Sequence, residues 1–121
     1  RVINGDKPVV RLRSDGRFWI YGTPWCGKEG EQTNMSAPLC AICLLSRGTT
    51  DTASVAGERQ YLDGLIRQVV FPTDERSMAR GARLLARLIR TVPALSVALT
   101  PTAGAVDVTL AALTSPGRAK L

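Results

Sequence analysis

The chain has 121 residues, 16 Lys+Arg against 10 Asp+Glu, and no His, for a net charge of +6. That length fits one domain, and the ordinary apolar and charged content fits a packed core rather than a disordered chain. Without His there is no Ser-His-Asp triad, no Cys-His nucleophile pair and no His-ligated zinc.

The chain opens on Arg1-Val2-Ile3, an apolar pair that reads as the end of a strand, as in a piece of a longer protein. Val9 to Arg13, the turn signal Ser14-Asp15-Gly16, and Phe18-Trp19-Ile20-Tyr21 together predict a β-hairpin. A glycine-rich loop follows over 22–30. Pro38 to Ser46 carries no charge and predicts a buried strand ending at Arg47-Gly48. Leu62, Leu65, Ile66 and Val69 fall on one helix face and predict a helix over 58–69, ended by Phe71-Pro72. Thr73 can cap a second helix that begins with Asp74-Glu75 and runs to about Thr91, where Pro93 stops it. Leu95 to Leu99 predicts a strand and Val106 to Leu113 a last helix. The expected architecture is one α/β domain, a mixed sheet with flanking helices. It is β-rich over 1–48 and mainly helical over 52–121.

The charge is spread evenly, +3 over residues 1–47 and +3 over 48–121. Aromatics are few and are not interleaved with basic residues along the sequence, which argues against a stacking platform for nucleic acid. No apolar run approaches the roughly 20 residues of a membrane span. No secretory leader opens these residues, and three Cys do not complete a disulfide framework. The cytoplasm is the expected compartment. Cys40 and Cys43 form a C-x-x-C that, with only Cys26 besides and no His, cannot complete a four-thiol or Cys/His zinc site. They read as buried thiols of the apolar strand. Arg76, Arg80, Arg83, Arg87 and Arg90 share one face of the second helix. This reads as a solvated face, with a phosphate-binding stripe or an acidic partner as the alternatives.

Gly22-Thr23-Pro24-Trp25-Cys26-Gly27-Lys28-Glu29 is one residue short of the phosphate loop G-x-x-x-x-G-K-[ST]. Glu29 replaces the Mg²⁺-binding hydroxyl and adds a negative charge, and Pro24 removes a backbone donor. No helix start follows to face an anion. The segment reads as a substrate-side phosphate loop or as a glycine turn between strands.

Asn4-Gly5-Asp6-Lys7-Pro8, the Tyr21–Lys28 loop, and Ala37 to Leu45 ending in Arg47-Gly48 together resemble the bacterial HPr kinase/phosphorylase-like proteins. Those are related in fold to ATP-dependent phosphoenolpyruvate carboxykinases. The resemblance covers most of residues 2–70 and is most specific at 21–28. It implies a partial HPr-kinase-like fold, with the P-loop on an upstream strand–loop–helix unit absent from these residues. It further implies ATP and Mg²⁺ as cofactors, and a protein or small molecule as phosphoryl acceptor. On this resemblance Asp6 is the acidic residue at the metal or acceptor, and Lys28 stabilises charge on the transferred group. Gly22, Trp25 and Gly27 line the phosphate or substrate site, and Arg47, at the end of the apolar strand, faces the same cleft as a phosphate- or substrate-binding residue. Two positions depart from the family pattern. Gly5 stands where a second acidic residue is usual, and Asp51 stands where an Asn is expected. The alternatives are a non-catalytic binding or precursor-recognition module that keeps the fold, and a basic nucleic-acid-binding domain.

Overall fold

A computed structural model of the chain describes residues 1–115. The elements are β1 (Val9–Leu12), β2 (Phe18–Tyr21), β3 (Ser36–Pro38), β4 (Ile42–Arg47), β5 (Thr52–Val55), α1 (Glu58–Ile66), α2 (Glu75–Thr91), β6 (Ala94–Leu99) and α3 (Gly104–Thr114). Among the described residues this is a mixed α/β chain with two three-stranded sheets and three helices. It divides into two compact units, Arg1–Cys40 and the residues from Ala41 onward.

The first unit holds the sheet β1-β2-β3, antiparallel throughout. The hairpin forms where the turn signal placed it. Gly16 N–H donates to Arg13 O at 3.0 Å, and Gly16 takes φ +80°, a conformation costly for any residue with a Cβ. Asp15 accepts from Arg17 N–H at 2.9 Å, and this bond is the main cause that holds its carboxyl below the usual range. Arg11 stands opposite Trp19 in the register, so basic and aromatic side chains that are apart in sequence meet on one sheet face. The Arg13 guanidinium lies 3.7 Å from the Trp19 ring centroid, and its Nε donates to Tyr21 Oη at 2.6 Å. The sequence hid this interleaving because antiparallel pairing, not adjacency, creates it. Phe18 is the buried side chain of this unit.

The buried strand expected over Pro38–Ser46 does not exist as one element. The chain leaves the first sheet after Pro38 and enters the second at Ile42. Pro38 lies on edge strand β3, where a missing N–H breaks no ladder. Beyond Pro38 the run carries no turn residue before β4, so its sequence does not show that it serves two sheets. The strand is also not buried, since Leu45 and Arg47 are exposed. Cys40 is exposed in the link between the two strands and Cys43 is half-buried in β4, so the reading of two buried strand thiols is corrected.

The second unit holds β4-β6-β5, with β4 parallel and β5 antiparallel to the central β6. Leu95 and Val97 are buried on β6, as are Leu88 and Val92 at the end of α2. On the other face of the sheet, Ser96 accepts from Gln60 of α1 at 2.9 Å. A Cβ at Gly64 would come within 2.8 Å of the Leu44 side-chain methyls, so α1 seats closely against β4 where residue 64 has no side chain, and a larger residue there would make Leu44 shift. Helix α1 ends at Ile66, three residues before the expected end. Its buried residue is Tyr61, outside the predicted apolar stripe, while Leu62, Ile66 and Val69 remain exposed. The cap of α2 is Asp74, not Thr73; its carboxylate accepts from Ser77 N–H at 2.8 Å.

Tyr61 is 3% exposed, and its hydroxyl has no hydrogen-bond partner among the described residues. Burial pushes the phenol up to about 12. Removing an unsatisfied buried hydroxyl removes its desolvation penalty. Tyr61→Phe is therefore expected to raise stability by about 1 kcal/mol in urea unfolding. A loss of stability would mean that the hydroxyl has a partner after all.

Candidate functional site

Asn4 organises the loop that follows β2. Its Nδ2 donates to Thr23 O at 2.9 Å and to Trp25 O at 3.1 Å, and its Oδ1 accepts from Asp6 N–H at 2.9 Å. Thr23 Oγ1 donates to Lys7 O at 2.7 Å, and Lys7 N–H donates to Trp25 O at 3.3 Å. Residues 4–7 are thus laced to residues 23–25. Sequence reading treated Asn4-Gly5 only as part of a motif. No local signal could show partners 19 and 21 positions away.

This lacing brings two of the predicted site residues together. Gly27 has φ +71°, and a Cβ there would lie 3.2 Å from the Asp6 Cβ. The Asp6 side chain therefore lies beside the Gly27 backbone, and the positive φ favours glycine there. Asp6 Oδ2 is 3.6 Å from Lys7 Nζ. Lys28 is exposed and makes no ion pair among the described residues. Trp25 is 64% exposed. An open cleft of about 580 Å³ is lined by Gly22, Thr23, Pro24, Gln32, Thr33 and Asn34. Gly22 is the only one of the predicted site residues among that lining. No helix begins after the loop; Asn4 pairs with Gln32 in an isolated bridge and β3 follows. The segment therefore lacks the helix N-terminus on which a self-contained phosphate loop depends.

Arg47 belongs to the second unit, where it is exposed as the last residue of β4. Gly48 N–H donates to Leu99 O at 3.0 Å, so this turn sits at the carboxyl ends of the parallel pair β4 and β6. Ligands of open α/β sheets bind at such ends. Asp51 is the organising group there, and sequence reading noted it only as a departure from a family pattern. Its Oδ1 accepts from Thr100 N–H at 2.5 Å and from Thr100 Oγ1 at 2.7 Å. These bonds favour the ionised form and hold its carboxyl below the usual 3.8.

Asp15 and Asp74 are depressed in the same way by backbone donors. A carboxyl whose folded value is lowered stabilises the fold at pH above its unfolded value, and that contribution vanishes as pH falls through the folded value. The melting temperature is therefore expected to hold from neutral pH down to about pH 4 and to fall below it. Asp51→Asn is expected to lower the melt at neutral pH and to flatten part of the acid slope. An unchanged slope would show that Asp51 is not one of the responsible groups.

Among the described residues no three His, Cys, Asp or Glu side chains gather to hold a metal ion. Asp6 is a single carboxylate. Mg²⁺ sites at nucleotides often use only one or two carboxylates, completed by phosphate and water, so Asp6 fits one position of such a set. Among the described residues no helix is long and apolar enough to cross a membrane. No family model, curated protein or solved structure matches the chain.

Proposed function

We propose that this chain is the C-terminal part of an ATP- and Mg²⁺-dependent, HPr-kinase-like phosphotransferase domain, with the nucleotide loop contributed by residues outside these 121. The single observation that supports it most is the Asp6 side chain lying beside Gly27 of the Gly-Lys loop. A carboxylate beside a lysine-bearing glycine loop joins two groups that phosphoryl transfer uses. The carboxylate takes the proton of an attacking hydroxyl or one position on Mg²⁺, and the lysine offsets charge on the transferred group. In this reading Asp6 has the first role and Lys28 the second. Gly22, Trp25 and Gly27 border the phosphates. Arg47, in the second unit, is a separate phosphate-directed cation at the end of β4. The acceptor is a protein or small-molecule hydroxyl.

The reading is tested in the coding sequence upstream of Arg1. An in-frame G-x-x-x-x-G-K-[ST] within a few tens of residues is the expected finding. A reading frame that starts just before Arg1, with no such loop, overturns it.

A second reading is a binding module that keeps the fold without the chemistry. The Lys7 ammonium 3.6 Å from Asp6 favours it, because it engages that carboxylate in a surface ion pair. Such a module binds its partner with no nucleotide present.

A further inference from the structure

Arg76, Arg80, Arg83, Arg87 and Arg90 are all exposed on α2. At about 100° per residue they fall within roughly 80° of the helix circumference, along about 21 Å of its length. The buried residues Leu88 and Val92 lie on the opposite side, so the core fixes the stripe outward. None of the five is in an ion pair among the described residues. Asp74 at the head of the helix is already bonded to Ser77 N–H. Glu58 shares a hollow with Arg90 but forms no ion pair with it.

From Ala41 onward the chain carries 10 basic and 6 acidic residues, and outside the stripe the count is 5 against 6. The positive excess of this unit is therefore the stripe itself. Like charges three and four residues apart repel, so the arrangement works against the free helix. An anionic partner relieves that repulsion.

The flanks of the stripe decide the kind of partner. Ala79, Ala86 and Leu84 are exposed beside it. The Thr91 hydroxyl is taken by Arg87 O at 2.8 Å. A nucleic-acid surface supplements its cations with Ser, Thr, Asn or Gln to phosphates and base edges, and with aromatic platforms for single strands. Here the flanks are small and apolar, as in a helix–helix contact. The spacing of 4, 3, 4 and 3 averages the coiled-coil period, so a second helix with carboxylates at the same spacing meets the guanidinium groups one for one.

We propose that the outer face of α2 docks an acidic helix of a partner protein, with Asp or Glu at alternating three- and four-residue spacing. The proposal does not depend on the phosphotransferase reading.

The test measures fluorescence anisotropy of labelled probes on the full chain at about 150 mM salt. One probe is a helical peptide with five Glu at the matching spacing. The second has the same composition with its Glu residues distributed around the helix. The third is a short random-sequence DNA duplex. The matched peptide is expected to bind about tenfold or more tighter than the shuffled one, and Arg80→Gln with Arg87→Gln to lose about tenfold. Both sites are exposed and Gln is a good helix former, so the variant is expected to keep its circular dichroism. If that spectrum changes, the single Arg83→Gln replaces the pair. Equal binding of matched and shuffled peptides overturns the proposal, as does tighter binding of the duplex or no binding of the matched peptide.

Discussion

Gly22→Ala is expected to unfold the first unit. The added methyl would stand inside van der Waals contact of Thr33 O and 3.0 Å from Ile3 O. Both are backbone atoms, and both are tied into the same network. Thr33 N–H donates to Ile3 O at 2.9 Å and Gly22 N–H to Met35 O at 3.0 Å. Relief therefore requires the strand end and the facing segment to move apart. Overpacking costs about 1–3 kcal/mol where side chains can give way, and more against fixed backbone. The unit spans Arg1–Cys40 with Phe18 as its buried side chain, a size at which stability is marginal. Loss of hydrogen-exchange protection over 18–21 is the readout. Wild-type protection in the alanine variant would contradict the packing described.

Val97→Asp and Leu45→Asp make a paired prediction in the second unit. The two residues are register partners across β4 and β6. Val97 is 0% exposed on the central strand, whereas Leu45 is 69% exposed on the edge. An aspartate at 97 would be buried without a partner, at a cost of about 4 kcal/mol or more. That is comparable with the whole stability of a small domain. An aspartate at 45 remains in water and is expected to change stability by about 0.5 kcal/mol or less. Urea unfolding followed by circular dichroism separates the two. Similar losses at both sites would mean that β4 is covered rather than exposed.

The elements with strong local signals were legible. The hairpin turn is set by Gly16, α2 by its long apolar period, and β6 by a β-prone run after Pro93. Short range is also where legibility stopped. Strands β3 and β5 are three and four residues long, too short for a period to register. The run from Pro38 to Ser46 concealed a change of sheet because the residues on both sides of the change, Leu39 and Ala41 to Leu45, are apolar or thiol-bearing alike. At the candidate site, Asp6 and Gly27 were named from the sequence, and in the structure the Asp6 side chain lies beside the Gly27 backbone. Asn4 and Asp51, which organise the two loop clusters, were not. The partners that tie the clusters together lie 19 or more positions away, and a single Asn or Asp in a turn reads the same whatever its distant bonds. The face that joins Arg13 to Trp19 was missed for a different reason: it is made by hairpin pairing between strands, not by neighbours in sequence.

The phosphotransferase reading is tested most directly by calorimetric titration of Mg-ATP into the longest natural chain that contains these residues, with and without Asp6→Asn. Saturable Mg-ATP binding by the natural chain is expected. The Asn variant is expected to bind Mg-ATP more weakly but to keep its affinity for ATP in EDTA. No saturable binding by the natural chain would contradict the reading, as would identical Mg-ATP affinities for the two proteins.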